Sequence, residues 1–156
     1  MTTEDTQIVR IRVNVSGIRL IGFVSLPPGE FSRFSDVLNS AEPYILIRGE
    51  DEPREPGEHS SRAVLKDSIT YVEALAEPGF KRRSLQGAFQ AVTVSLKKPA
   101  TTLSGELFVS QDMTAIDVVN DGRRFINLRN VRFRDSVEAY DFLAVGKPQA
   151  HLIELS

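Results

Sequence analysis

The chain has 156 residues, of which 41% are hydrophobic and 26% charged, and its formal net charge is -2. This composition is sufficient for a packed core and excludes general disorder, and the charge excludes an overall basic field that would recruit nucleic acid or a membrane. The absence of cysteine excludes disulfides, thiolate metal sites and a cysteine nucleophile.

The first half of the chain predicts several short strands separated by turns. Residues 9–15 alternate apolar and polar side chains, as a half-buried strand does, and Ser16-Gly17 forms a turn into a second strand. A third strand, YILIRG, is followed by an acidic loop rich in proline and glycine at residues 49–62. The segment AVLKDSITYVEAL then predicts two further short strands or one bent strand.

A short helix is predicted between the second and third strands. Phe34, Val37 and Leu38 share one helical face through their i, i+3 and i+4 spacing. Ser32 is the expected N-cap, and Asn39 suits a left-handed residue that closes the helix.

The second half predicts the same elements in the same order. After a linker at residues 77–90, which contains prolines and glycines, come strands, a weaker helix and further strands. These segments are AVTVSL, TLSGELFVS, the helix MTAIDVVND, RFINLRNVRF, FLAV and AHLIELS.

The two halves also share residues in one register. A shift of 81 positions places Asp36 on Asp117 and Asn39 on Asn120. The same shift aligns Val13 with Val94, Tyr44 with Phe125, Ile47 with Leu128, Arg48 with Arg129, Lys66 with Lys147, Val72 with Ile153 and Glu73 with Glu154. The sequence therefore predicts an internal duplication, with a first unit at residues 1–76 and a second unit at residues 91–156.

Each unit has the signature of a small β-barrel. Short, evenly spaced strands separated by turns are typical of such barrels. Gly22 and Gly105, which align at a shift of 83, lie inside predicted strands and indicate a bulge or sharp bend. We expect a mainly β fold with short helices, organised as two tandem barrels.

The segment VTVSLKKPATTLSGELF resembles the first two strands of Sm-like (Sm/LSm/Hfq-type) small β-barrels, in which L-x-G-x-L lies on a strongly bent second strand. AVLKDSITYVEAL is similar to the last two strands of that barrel. The resemblance implies two tandem Sm-like barrels. The helix around residues 35–39 also resembles a bacterial family of unknown function, which implies no activity.

The chain departs from the Sm-like RNA binders at their contact residues. The polar loop after strand two is replaced by PPGEF in the first unit and by residues 111–114 in the second. The second RNA contact of the family corresponds to LKDS and VGKP, where only Lys66 and Lys147 are similar. The resemblance therefore implies the fold rather than RNA binding.

A group of arginines is the densest charge feature. With Phe125 and Phe133 between them, they suit the binding of phosphates and the stacking of bases, or the binding of an acidic protein. The alternative is a solvated face of an edge strand, where charge prevents aggregation. The candidate anion-binding or partner-binding residues are Arg123, Arg124, Arg129, Arg132 and Arg134.

The repeated polar pairs Asp36/Asn39 and Asp117/Asn120 have two interpretations. They could form a paired site for a ligand or cation, or they could cap helices and close turns. We favour the structural role, because duplicated folds repeat their structural residues.

No catalytic motif is present in the sequence. It contains two histidines, His59 and His151, and it has no GxSxG, P-loop or GxGxxG pattern. We therefore expect a protein that is not an enzyme and that has no catalytic residues, no metal site and no cofactor.

The predicted function is that of an assembly or interaction module. Exposed strand edges would pair with another copy of the chain or with another protein, and the strands to examine are YILIRG, RFINLRN and AHLIELS. The alternative is an RNA-binding or anion-binding module that uses the arginines, although nucleic acid is the less favoured partner. Because MTTEDTQIVR lacks a signal core and no apolar run reaches roughly 20 residues, we expect a cytoplasmic protein without a membrane partner.

Overall fold

The computed structural model describes residues 7–26, 33–49, 61–76 and 86–156. The protein is mainly β within these ranges. The strands are β1 (Ile8–Val15), β2 (Ile18–Ser25), β3 (Tyr44–Gly49), β4 (Ser61–Leu65), β5 (Ile69–Ala76), β6 (Gly87–Leu96), β7 (Thr101–Ser110), β8 (Phe125–Phe133), β9 (Ala139–Gly146) and β10 (Ala150–Leu155). Two short helices are α1 (Phe34–Leu38) and α2 (Ala115–Val119), and two 3₁₀ turns span Lys66–Ser68 and Lys147–Gln149.

The described strands form one open antiparallel sheet in the order β10-β6-β7-β8-β9-β5-β1-β2-β3-β4. The expectation of a mainly β fold with short helices is confirmed, but the sheet is not closed into two separate barrels. The physical reason is that β5 hydrogen-bonds to β9 of the other half, so the two halves share one continuous ladder. Strands β4 and β10 are the two edges of this sheet.

The two halves of the sheet have the same internal order. In each half the fifth strand pairs with the first, and the first to fourth strands follow in sequence. The pair Val13–Val72 on β1 and β5 corresponds to Val94–Ile153 on β6 and β10, 81 residues later. Both pairs of strands carry a register shift at the same place, between Asn14 and Val15 in the first half.

The first hairpins of the two halves have different turns. Ser16 and Gly17 have positive φ angles of 49° and 96°, and they connect Val15 directly to its partner Ile18. A two-residue turn with two positive φ angles matches the twist of the strands that it joins. In the second half, four residues at 97–100 connect β6 to β7, so the two extra residues fall in the turn.

Gly105 lies where the register between β7 and β8 shifts, between Ser104 and Glu106. The register irregularity predicted at Gly105 is therefore present in its pairing with β8, whereas Gly22 pairs with β1 in an unbroken register. The extra residue lies on β8, where Asn130 has a φ of 51°, whereas β7 keeps a regular register with β6 at Gly105.

The alternating residues of the strands build two hydrophobic clusters. The first cluster is formed mostly by β1 to β5 and the second by β6 to β9. Two aromatic residues cross between the halves, because Phe125 of β8 lies in the first cluster and Tyr71 of β5 lies in the second. The halves are thus interlocked by side chains as well as by the backbone ladder.

Close packing at the meeting point of the halves predicts a strong effect of Gly146→Ala. A Cβ at Gly146 would lie 2.1 Å from the carbonyl oxygen of Ile69, and a backbone atom cannot move aside cheaply. We expect Gly146→Ala to lower the free energy of unfolding by about 3 kcal/mol, as measured by chemical denaturation.

The matched control is Gly122→Ala, because a Cβ at Gly122 meets no atom within 4 Å. Its effect should be within about 0.5 kcal/mol. Equal effects of the two substitutions would contradict the close approach of β9 to β5.

Candidate functional site

The candidate site begins with the junction, by which we mean the pairing of β5 with β9. Tyr71 faces Val145 and Val72 faces Ala144 in an antiparallel ladder. The fifth strand of the first half therefore pairs with the fourth strand of the second half. The corresponding edges at the ends of the sheet, β10 and β4, have no strand neighbour beyond them among the described residues.

Polar contacts flank the junction. The hydroxyl of Thr70 donates to the carbonyl oxygen of Lys98, and the side-chain amide of Gln149 donates to the carbonyl oxygen of Asp67 at 2.8 Å. The carboxylate of Asp67 lies 3.9 Å from Nη1 of Arg124. These contacts fix the two halves in one register along the ladder.

An aromatic group fills the space behind the ladder. The ring of Tyr71 lies 5.1 Å from that of Phe133, which lies 5.7 Å from that of Tyr140. The hydroxyl of Tyr71 accepts a hydrogen bond from Nδ2 of the buried Asn14 at 3.3 Å. Tyr140 donates to the carboxylate of Glu138 at 2.6 Å, and burial raises the pKa of Tyr140.

Asn39 connects α1 to the other half of the sheet. Its Oδ1 accepts the backbone N–H of Phe125 at 3.0 Å, and its Nδ2 donates to the carbonyl oxygen of Ser35 at 3.0 Å. Its φ is -96°, so the prediction of a left-handed conformation at Asn39 is wrong. Asn120, 81 positions later, also ends a helix, but its side chain makes no hydrogen bond within the described residues.

The two aspartates of the repeated pairs cap their helices. Asp36 accepts the backbone N–H of Arg33 at 3.1 Å, and Asp117 accepts that of Thr114 at 3.0 Å. The bonds from Thr114 lower the pKa of Asp117. The N-cap of α1 is Arg33 rather than the predicted Ser32, which lies outside the described residues.

The equivalent lysines have different partners in the two halves. Nζ of Lys147 donates to the Asp121 carboxylate at 2.8 Å, which is an ion pair. Nζ of Lys66 donates to the hydroxyl of Ser40 at 2.8 Å, although Lys66 is only 1% exposed. Burial lowers the pKa of Lys66, and the positive charge of Arg124 lowers it further. Both bonds tie the loop after a helix to the following 3₁₀ turn.

The arginines do not form one patch. Arg129 lies on the sheet with its guanidinium carbon 3.1 Å from the centroid of the Phe89 ring, and its Nε is 3.2 Å from the carboxylate of Glu106. The same carboxylate accepts a hydrogen bond from Asn130 at 2.6 Å. The charge of Arg129 is therefore engaged within its own half of the sheet.

The other four arginines lie at opposite ends of β8. Arg123 lies 4.0 Å from the Asp121 carboxylate, and Arg124 points to the junction, where its Nη1 is buried without a hydrogen bond. Arg132 and Arg134 are exposed at the far end of the strand. Arg124 and Arg132 are eight positions apart, which corresponds to about 26 Å in an extended strand. The five side chains therefore do not converge on a single ligand-sized site.

Apolar side chains are exposed on the edge strand β10 and on β3, which lies next to the edge strand β4. Tyr44 at the start of β3 is 54% exposed, whereas Phe125, 81 positions later, is 2% exposed in the junction. Leu152 on β10 is 49% exposed, whereas its equivalent, Tyr71, is 7% exposed. Positions that the junction buries are thus exposed at the outer edges, and Leu46 on β3 adds to the exposed apolar surface.

Sequence reasoning missed the residues that form the junction. Gly146 and Tyr71 were not singled out, although each differs from its counterpart in the repeat, Leu65 and Leu152. These differences between aligned positions could have indicated the junction. A residue in a contact between the halves need not match the aligned residue at an outer edge.

Glu73, which aligns with Glu154 in the second half, is half-buried on β5. Its carboxylate lies 3.2 Å from Nη1 of Arg12. Burial raises the pKa of Glu73 and the charge of Glu138 adds to this effect, while Arg12 opposes it.

Several sequence-based candidates cannot be placed. His59, most of the acidic loop (residues 50–60) and most of the linker (residues 77–85) lie outside the described residues. His151 is exposed on β10. In the described ranges, no three histidine, aspartate or glutamate side chains are grouped to hold a metal ion. None of the described helices has the length and apolarity needed to cross a membrane.

Comparisons with known proteins return no relative. No protein-family model matches the chain, and neither a curated protein nor a solved structure shows significant similarity to it.

The hydrogen bond across the junction predicts unequal effects of Asn39→Ala and Asn120→Ala. Removal of the Asn39 amide leaves the N–H of Phe125 without its acceptor, so we expect a loss of about 1–2 kcal/mol in the free energy of unfolding. Asn120→Ala should change it by less than about 0.5 kcal/mol. Urea denaturation of both variants measures the difference, and equal losses would contradict the assigned role of Asn39.

The ion pair of the second half predicts a pH-dependent loss in Asp121→Asn. Burial raises the pKa of Asp121, but hydrogen bonds from Lys147 and from the backbone N–H of Arg123 outweigh it and hold that pKa below its usual value. A carboxyl with a lowered folded-state pKa adds stability above its unfolded pKa and loses it as the pH falls through the folded value.

We therefore expect Asp121→Asn to be about 1–2 kcal/mol less stable than the natural protein at pH 7. The two proteins should converge as the pH falls below about 4. Asp141→Asn is the control, because Asp141 is exposed and has no partner among the described residues. A difference that persists unchanged at low pH would show that the charge of Asp121 is not its cause.

Proposed function

We propose that the protein is a non-enzymatic assembly module that associates through its strand edges, β4 and β10, with further copies of itself or with another protein. The observation that carries the proposal is the contrast between the junction and the edges. Phe125 and Tyr71 are buried where two edges meet, while Tyr44 and Leu152 are exposed where the sheet ends.

Backbone chemistry supports the same function. A strand at the edge of a sheet presents N–H and C=O groups that can pair with another strand, and many interaction modules bind in this way. In the junction, β5 and β9 of this chain pair without a connecting turn between them. The outer edge β10 is the fifth strand of its half, as β5 is, and the outer edge β4 is the fourth strand of its half, as β9 is. The outer edges therefore offer the same type of contact as the junction.

The shared strand order and register support the interpretation of the chain as a tandem duplication. The corresponding pairs Ile45–Val64 and Ile126–Val145 are 81 residues apart on the third and fourth strands. The sequence resemblance of both halves to Sm-like units adds to this interpretation. We propose two such units joined in one sheet.

The rival function is the binding of RNA or another anion by the arginines of the second half. It has less support, because Arg123, Arg124 and Arg129 each lie within 4.0 Å of a carboxylate. Arg132 and Arg134 remain exposed for such a ligand. This function predicts binding that weakens steeply with salt.

Light scattering coupled to size-exclusion chromatography tests the proposal. We expect a mass that is a multiple of 17.4 kDa for self-assembly. Leu152→Lys places a charge on the β10 edge and should reduce the mass to that of a monomer. Val137→Lys is the control, because Val137 is fully exposed away from both edges and its substitution should leave the mass unchanged.

Absorbance at two wavelengths separates the alternatives in the same experiment. An assembled natural protein whose mass is unaffected by Leu152→Lys would contradict assembly through β10. Nucleic-acid absorbance that high salt removes would favour the arginine-based function. A clean monomer would direct the search to another protein as the partner, with Leu152→Lys as the negative control in pull-downs.

A further inference from the structure

The outer edges can be compared with the junction position by position. We define the outer contact as β4 of one copy paired with β10 of a second copy in the register of the junction. Because Tyr71 faces Val145 in the junction, Leu152 of the second copy would face Val64 in the outer contact. This comparison assigns each residue of the outer contact a known counterpart.

The outer contact preserves the main features of the junction. Tyr44 takes the place of Phe125, and it would enter the second cluster of the other copy as Phe125 enters the first cluster in the junction. Two side chains that line the second cluster are smaller than their counterparts in the first: Ala115 replaces Phe34, and Val119 replaces Leu38. The side chain of Asn120 has no hydrogen bond within the described residues, and it is the counterpart of the amide that accepts the N–H of Phe125.

The outer contact also gains complementary charge. Continuing its antiparallel register by two residues places Glu154 of β10 opposite Arg62 of β4. Both side chains are exposed. Their counterparts along the extended junction are Glu73 and Leu143, which form no such pair. Opposite charges across a ladder favour pairing, and here they favour a second copy of this chain as the partner.

One residue opposes the outer contact. Gly146 in the junction has φ and ψ of -72° and 118°, and a Cβ at this position would lie 2.1 Å from the carbonyl oxygen of Ile69. Its counterpart, Leu65, has almost the same backbone conformation, with φ and ψ of -67° and 119°. On the other strand, Ala150 has φ and ψ of -98° and 89°, against -79° and 122° for its counterpart Ile69. In the register of the junction the Cβ of Leu65 would therefore be directed at the carbonyl of Ala150 in the second copy.

We infer that Leu65 limits the pairing of β4 with β10 of a second copy, so that the outer contact is weaker than the junction and reversible. This inference rests on the proposed function of the same edges. A contact between unlike edges closes into rings or continues into filaments. A residue that weakens an otherwise complementary edge is a known means of preventing uncontrolled association.

The test compares Leu65→Gly with Leu65→Ala. Glycine removes the Cβ that causes the collision, whereas alanine removes most of the side chain and keeps that Cβ. We expect Leu65→Gly to lower the dissociation constant for self-association at least about tenfold, which is about 1.4 kcal/mol, and Leu65→Ala to leave it nearly unchanged. Sedimentation velocity across a concentration series measures both constants, and circular dichroism checks that both variants are folded.

A charge exchange then tests the register. In the Leu65→Gly protein, Arg62→Glu alone should weaken association by placing a second carboxylate opposite Glu154, and adding Glu154→Arg should restore it. If the double exchange fails to restore association, β4 and β10 do not meet in the register of the junction, and the inference is wrong.

The outcomes separate this inference from the proposed function. Equal tightening by glycine and alanine would assign the effect to side-chain bulk and overturn the role of the Cβ. If the natural protein assembles, Leu152→Lys dissolves the assembly and Leu65→Gly has no effect, the edges associate but Leu65 does not limit them. Monomers in every variant would overturn the inference and leave another protein as the partner of the edges.

Discussion

The antiparallel contact between β5 and β9 is the interaction on which the rest of the structure depends. Without it the chain would contain two five-stranded pieces, each with its fourth and its fifth strand as free edges. The contact requires Gly146, because a side chain there would strike the backbone of β5. It also exchanges Phe125 and Tyr71 between the two clusters. Backbone pairing and side-chain burial therefore support the same arrangement.

The two halves use the same fold with different electrostatics. The ammonium of Lys147 meets the carboxylate of Asp121, whereas that of Lys66 meets only Ser40 and its backbone. Burial of a charge carries a desolvation penalty, and this penalty is the main cause of the lowered pKa of Lys66, which the charge of Glu42 opposes. The halves thus differ at the 3₁₀ turns although corresponding strands pair in the same register.

Corresponding strands have different surroundings at the junction and at the outer edges of the sheet. In the junction Phe125 and Tyr71 are buried, and two residue pairs join the strands. At the outer edges, Tyr44 and Leu152 remain exposed, and charged residues such as Arg62 and Glu154 lie beside them. Apolar residues favour association and charges restrict which strand can pair. This balance is what an interaction surface requires and what an internal interface does not.

The sequence by itself determined the local structure of this protein. Alternating apolar residues such as Val9, Ile11 and Val13 predict strands, and the turn at Ser16-Gly17 predicts a hairpin, because these patterns depend on neighbouring residues. Matches at a spacing of 81 predict that the two halves are similar. These features did not require knowledge of which strands meet across the chain.

Only the tertiary structure decided how the halves are joined. The sequence predicts two barrels, but the structure has one open sheet, because β5 pairs with β9 of the other half. It also separates the arginines along β8 and assigns Asn39 a hydrogen bond to Phe125, 86 residues away. A strand edge carries the same N–H and C=O groups whatever its sequence, so its partner is selected by packing and by close approaches such as that of Gly146. Those properties depend on the whole fold and not on any local pattern.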